Sequence, residues 1–304
     1  MTNTTNPPTS TDSLVPRLFT WMVLGAWVIT GCWLWPPAVI ALLIAAAIAF
    51  AVEVMRLYAR PPVSLSLSPW DYGGTISIVL TLAAIHLYVP RTTIHFITVL
   101  ELLAVGAAAG WLHEKVAEKV AEYDHIDSFE LSFWAAAIST SLLGLTSLLR
   151  EPNGQKQILT FAAILIASDT GGFVVGRGCK LLNLPDWLGW LKHAPAPRLS
   201  PRKTIAGFMG AIVLGPAIVA VLCVRVWHTH ASWLISFAIA LGALGQAGDL
   251  YISSLKRLFG IKDMASRIFG ILPGMGGVGD RVDSIIFTAP IFYLTMLVTG
   301  QLAP

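Results

Sequence analysis

Charge is scarce in this chain: Asp, Glu, Lys and Arg together make up 12% of its 304 residues. So little charge cannot coat a soluble domain of that size. With 55% hydrophobic residues and a mean hydropathy of +0.71, the composition excludes the soluble globular class. Cysteine is scarce as well. Cys32, Cys179 and Cys223 form no CxxC pair, so neither a disulfide framework nor a zinc site is indicated. Two of the three lie in apolar segments, where Cys packs as a small hydrophobe. There is no GxxxxGK[ST] loop of a P-loop nucleotide site. A net charge of +3, with no separate basic domain and no aromatic pattern suited to RNA, gives no reason to expect nucleic acid as a partner.

What is abundant is apolar sequence. A spanning helix needs about 20 largely apolar residues. Nine segments meet that description: 18–35, 38–55, 74–89, 92–112, 131–149, 158–176, 205–227, 232–251 and 284–302. The expectation is an all-α polytopic membrane protein with about nine transmembrane helices. Residues 1–17 are a polar leader rich in Thr, Asn, Ser and Pro, without a basic cluster, and are expected to be disordered. The segment after them lacks a small-x-small cleavage site and reads as a retained helix rather than a signal peptide. Short cytoplasmic loops retain Lys and Arg. With the N-terminus inside, only Arg91, Arg150, Lys156 and Arg225 of the 20 basic residues fall on the outer face. The charge pattern therefore predicts a cytoplasmic N-terminus and an outside C-terminus. HEKVAEKVAEYDH, near 113–125, has the spacing of a short cytoplasmic helix. The chain divides into the leader, N-terminal helices over 18–155 and a more polar C-terminal region over 156–304.

Polar residues collect in that last region. Asp169 lies in FAAILIASDTGGFVVGR, where an ionised carboxylate is costly and marks an ion, substrate or partner site, or a structural pairing with a neighbouring cation. In LSPRKTIAGFMGA, Ser200 and Pro201 provide a helix start, and Lys203 and Thr204 offer an ammonium and a hydroxyl beside free N–H groups that attract phosphate. Asp249, Ser253 and Lys256 are spaced four and three, so a helix aligns them in one stripe with Arg257 beside it. Asp280 and Asp283 open the last apolar segment from LPGMGGVGDRVDS, where the helix dipole favours carboxylates. Hard oxygen ligands from two helices suit Mg²⁺ bound together with phosphate, and Lys203, Lys256, Arg257, Lys262 and Arg281 lie on the same face. Carboxylates gathered with cations in this way read as a metal-assisted phosphate site.

The same residues carry a resemblance. Ser253-Ser254-Leu255-Lys256-Arg257, then Lys262-Asp263, then PGMGGVGDRVD, preceded by SPRKTIAG at 200–207 and SDTGGFVVGR at 168–177, resemble the motifs of the phosphatidate cytidylyltransferases, or CDP-diacylglycerol synthases. The motif-bearing match covers 168–284; the first 160 residues match only as a hydrophobic layout. The resemblance implies transfer of the cytidylyl group of CTP to phosphatidate, with Mg²⁺ and room for a second cation. It implies Asp249 and Asp280 as metal ligands with Asp283 and Asp169 in support, and Asp249, Asp280 and Lys203 as the catalytic set. Phosphate contacts fall to Lys203, Lys256, Arg257, Lys262 and Arg281, and hydroxyl contacts to Ser200, Thr204 and Ser253. The site is placed at the cytoplasmic membrane boundary, because CTP is soluble and phosphatidate is not, and the expected membrane is the plasma (inner) membrane of a bacterium. The sequence departs from the family pattern at Met275, where the family carries His, and in about four extra residues before Pro273.

Other readings stay open on the residues alone. A related enzyme could use CTP on another lipid phosphate or a polyprenol. An ion-coupled transporter could use Asp169 and Asp249, although the polar residues sit on one face and no polar path runs through the N-terminal helices. An inactive scaffold paralogue is suggested only by Met275. The small-residue segments permit a homodimer.

Overall fold

This computed structural model describes residues 29–120, 127–151, 153–182, 185–201, 203–226, 233–261, 264 and 277–299. Proline and capping chemistry set several helix starts. Pro36 and Pro37 fill the first turn of α1 (Pro36–Tyr58), where their missing N–H groups cost nothing, and Pro61-Pro62 bar its continuation. A capping box opens α2 (Pro69–Tyr88): Ser68 N donates to Asp71 Oδ2 at 2.7 Å, and Asp71 N donates to Ser68 Oγ at 3.4 Å. After the Pro90 turn comes α3 (Arg91–Val120), then α4 (Ser128–Ser139), a 3-10 turn at Thr140–Leu142, and α5 (Gly144–Leu148). The C-terminal half contains α6 (Gly154–Leu181) and a 3-10 segment, Asp186–Lys192. Next come α7 (Ile205–Met209), a π-helical turn at Gly210–Leu214 and α8 (Gly215–Val226), which make one interrupted span. Two long helices, α9 (Trp233–Leu258) and α10 (Gly279–Val298), complete the chain. There is no strand among the described residues.

Eight of the nine apolar segments are found as helices. The ninth, 18–35, falls mostly outside the described residues, although 29–34 are helical. Seven of the described spans are long and apolar enough to cross a membrane; α2, at 20 residues, is the predicted segment not among them. The segment read as a short separate helix near 113–125 instead continues α3 without a break through Val120, and 121–125 lie outside the described residues. The leader at 1–17 lies outside them too.

The span formed by α4, the 3-10 turn and α5 is the central post, with 89% of its apolar window buried. Several of its hydroxyls bond to carbonyls of the same span: Ser139 Oγ donates to Ala135 O at 2.7 Å, and Thr146 Oγ1 donates to Leu143 O at 2.6 Å. In a lipid-embedded bundle such internal bonding is what makes buried Ser and Thr tolerable. Around the post lie two apolar clusters. One joins α1 to α4 with the C-terminal part of α9, the other joins α5, α6 and α8 with the N-terminal part of α9, and α10 runs through both. A buried polar knot ties α2, α3 and α5 together, with His86 Nδ1 2.7 Å from Ser147 Oγ and Nε2 2.8 Å from Glu101 Oε1. It lies eleven residues beyond Thr75, which meets α1 at Met55, and so about 16 Å further along α2.

Close backbone contact fixes the C-terminal helices. At Gly248 of α9, a Cβ would stand 2.2 Å from the carbonyl oxygen of Asp283 in α10. Gly207 of α7 sits against α6 in the same way, with a Cβ 2.8 Å from the Gly172 oxygen. Small residues at such crossings let helices approach without the side-chain layer that would separate their backbones. Gly248→Ala is therefore expected to destabilise the protein by about 1–3 kcal/mol, as overpacking does. Gly106→Ala in α3, where nothing lies within 4 Å of the new methyl, should be neutral or slightly stabilising. Thermal unfolding in detergent, read by intrinsic fluorescence, checks the pair.

Candidate active site

The C-terminal ends of α6 and α9 and the N-terminal ends of α7 and α10 come together and enclose a cavity of about 580 Å³. Its walls carry Asp169, Lys203, Thr204, Asp249, Asp280 and Asp283, six of the residues singled out from sequence. Each helix contributes by a local rule. Asp169 precedes the small-residue stripe of α6, and Asp249 follows the Gly248 contact that presses α9 onto α10. Thr204 is the N-cap of α7, its hydroxyl accepting from Gly207 N at 3.1 Å. The helix thus begins at Ile205, four residues later than Ser200-Pro201 suggested. Ser200 stands in the preceding turn, its N–H bonded to Ala196 O at 2.8 Å, and does not line the cavity.

The polar side chains fall into two systems. In the first, Lys203 pairs with Asp249 and also donates to Gln246 Oε1 at 2.9 Å. The carboxyl groups of Asp249 and Asp283 are within hydrogen-bond reach, and Asp169 is close enough to both to repel them. Arg281 offsets part of that repulsion from the side, its charge acting on Asp169. In the second, Lys256 donates to Asp280 Oδ1 at 2.6 Å, while Asp280 Oδ2 accepts from Met264 N at 2.9 Å and Gly277 N at 3.1 Å. Asp280 thus holds the backbone at Met264 and at Gly277 while its side chain borders the cavity. Lys256 is buried.

Two residues read as phosphate ligands have other partners. Lys256 belongs to Asp280, and Arg257 braces the loop carbonyls of Leu199 and Ile261, the latter at 3.1 Å. Neither lines the cavity, nor does Ser253. Lys262, Met275 and the extra residues before Pro273 lie outside the described residues.

Glu53 was not singled out from sequence. It is buried at the C-terminal end of α1, and its two oxygens accept from Val278 N at 2.9 Å and Gly279 N at 2.7 Å. These N–H groups are among the unpaired donors that every helix start leaves, so a carboxylate from another helix caps α10. A lone Glu inside the apolar run of α1 was the available signal. Gln246 lies one helical turn before Asp249. Arg177 and Lys180, also on the cavity wall, lie eight and eleven residues after Asp169 on the same helix.

A divalent cation suits this donor set. Like-charged carboxylates brought within interaction range need a proton or a cation between them. Among the described residues no three acidic, His or Cys side chains close into a complete ligand cluster. Mg²⁺ is commonly held by one or two carboxylates with phosphate and water making up the rest, so an incomplete protein shell is compatible with it.

Fold and cavity together define a polytopic helical membrane protein with an acidic and basic pocket at one end of its C-terminal helices. Residues 15–299 match the cytidylyltransferase family, and the chain belongs to that family. It is similar to the phosphatidate cytidylyltransferase of Staphylococcus epidermidis, 36% identical over 147 residues, which are 48% of this chain and 51% of that protein. The enzyme of Bacillus subtilis bearing the same name is 31% identical over 144 residues, 47% of this chain and 48% of the relative. That of Rickettsia felis is 30% identical over 234 residues, 74% and 90% of the two chains. The matched stretch thus spans about half the length of the staphylococcal and Bacillus relatives and most of the rickettsial one.

Removing the Glu53 cap should be costly. Glu53→Leu leaves the buried Gly279 N–H and the part-buried Val278 N–H without acceptors, the buried one worth about 1–3 kcal/mol and the other less. Glu53→Gln retains one acceptor and is expected to lose less. Thermal unfolding should rank wild type above Glu53→Gln, and Glu53→Gln above Glu53→Leu; equal midpoints for all three would contradict the cap.

Proposed function

We propose that the protein transfers the cytidylyl group of CTP to phosphatidate, giving CDP-diacylglycerol and pyrophosphate. The observation that carries this reading is the cavity itself, where Lys203 lines the wall with Asp169, Asp249, Asp280 and Asp283 at the meeting ends of four helices. Membership of the cytidylyltransferase family supports the reaction class, and the names of the bacterial relatives support phosphatidate as acceptor.

In the proposed reaction an oxygen of the lipid phosphate attacks the α-phosphorus of CTP. The new P–O bond forms as the bond to the β-phosphate oxygen breaks, and pyrophosphate leaves with that electron pair. Asp249 and Asp280, with Asp283 and Asp169 beside them, would hold Mg²⁺, whose charge neutralises the triphosphate and the departing pyrophosphate. Lys203 is placed to donate to a phosphate oxygen: its ammonium, on the cavity wall, is already oriented by Gln246 and Asp249. Arg281, which does not line the cavity, adds positive charge that acts on Asp169. Lys256 keeps Asp280 in place, and Arg257 steadies the loop leading to Lys203. In this reading the cavity faces the cytoplasm, which the distribution of basic residues supports, and the membrane is the inner membrane of a bacterium, in keeping with the bacterial origin of the relatives.

Purified protein with Mg²⁺ and CTP is expected to convert phosphatidate to CDP-diacylglycerol in preference to other lipid phosphates, including polyprenyl phosphate, tested in parallel. Asp249→Asn and Asp280→Asn should each lower turnover by at least roughly a thousandfold, about 4 kcal/mol. No cytidylylated product from any acceptor, at any Mg²⁺ concentration, would sink the proposal.

A further inference from the structure

The cavity wall supplied by α6 changes character along its length. At one end is Asp169; Arg177 and Lys180 lie eight and eleven residues on, about 12 and 16 Å along the axis. Phe173, between them on the same wall, is exposed, and the Arg177 guanidinium stands 5.9 Å from its ring centroid. Immediately past Lys180 the surface becomes apolar: Leu181 is 75% exposed, Leu182 61%, and Trp187 of the 3-10 segment 74%. That segment is held against the site. Lys192 Nζ donates to Leu182 O at 3.0 Å, and the His193 carbonyl accepts from Ile205 N at 2.9 Å, linking the segment to the ends of both α6 and α7.

A soluble nucleotide has no use for an apolar margin beside its phosphate site. A lipid phosphate needs both features, because its headgroup seeks cations and its chains seek apolar surface. We propose that Arg177 and Lys180 bind the phosphate headgroup of the lipid substrate, with Phe173, Leu181, Leu182 and Trp187 bordering its acyl chains. This rests on the CTP and lipid phosphate reading and divides the cavity: the acidic end takes the nucleotide with its cation, and the cationic end of α6 takes the acceptor.

The test uses full-length protein in mixed detergent micelles. Arg177→Gln/Lys180→Gln should raise the apparent KM for phosphatidate, measured by surface dilution, by at least roughly tenfold. Its KM for CTP should stay within about twofold of wild type. A binding arm needs no turnover. Dihexanoyl phosphatidate, inorganic phosphate and CTP with Mg²⁺ are each added alone while thermal unfolding is followed. Dihexanoyl phosphatidate should stabilise wild type, the double variant should lose that shift and keep the CTP shift, and Arg177→Lys should restore part of it. Inorganic phosphate should give a smaller shift than the lipid. A double variant that keeps the lipid shift and loses the CTP shift would overturn the assignment, as would equal shifts from phosphate and lipid. If wild type makes no cytidylylated lipid but its phosphatidate shift still depends on Arg177 and Lys180, the reaction reading fails and the lipid site stands.

Discussion

Asp169, Asp249 and Asp283 come from three helices and repel one another at the cavity wall. Much of the C-terminal half can be understood as the means of holding them together. Gly248 presses α9 onto the backbone of α10 at Asp283, which brings Asp249 and Asp283 into contact. Gly207 does the same for α7 and α6, so that Lys203 enters the cavity opposite Asp169. Lys203 then bonds Asp249, and Gln246, one turn earlier on α9, fixes the ammonium. Without these close approaches the same residues would be isolated charges on separate helices, each too costly to keep ionised in a bilayer.

The N-terminal half contributes through the same level of the bundle. Glu53 reaches from α1 to the first N–H groups of α10, so the position of Asp280 and Asp283 depends on a helix that donates no residue to the cavity wall. Asp280 continues the chain of dependence, binding Lys256 on α9 and the backbone at Met264 and Gly277. The central span and the His86, Glu101 and Ser147 knot serve a different end, holding α2, α3 and α5 together well away from the cavity. A rigid scaffold of this kind suits a reaction in which positioning and charge neutralisation supply most of the catalysis.

The helices were legible because spanning length and apolar composition leave few alternatives, and the residues that gather in the cavity were legible because charge in an apolar run is exceptional. Partner choice was not. Lys256 and Arg257 look alike as interfacial cations, and only packing shows that one holds Asp280 while the other holds loop carbonyls. The start of α7 was placed at Ser200-Pro201 because Ser-Pro is a familiar cap, whereas Thr204 makes the cap and Lys203 stands just outside it. Glu53 was visible as a charge in α1, but its role as the cap of a helix more than 200 residues away has no local signature. The π turn that interrupts the 205–226 span has a local signal in Pro216, whose missing N–H cannot continue α-helical bonding, although hydropathy alone reads the stretch as one apolar helix.

In the proposed function the acidic end of the cavity would be a cation site shared with the nucleotide. Electron paramagnetic resonance of Mn²⁺ titrated into the purified protein, with and without CTP, tests it without requiring turnover. CTP is expected to tighten Mn²⁺ binding to wild type, and Asp249→Asn to weaken it by at least roughly tenfold, while Arg257→Gln leaves it unchanged. Equal Mn²⁺ affinity in wild type and Asp249→Asn, with or without CTP, would contradict it.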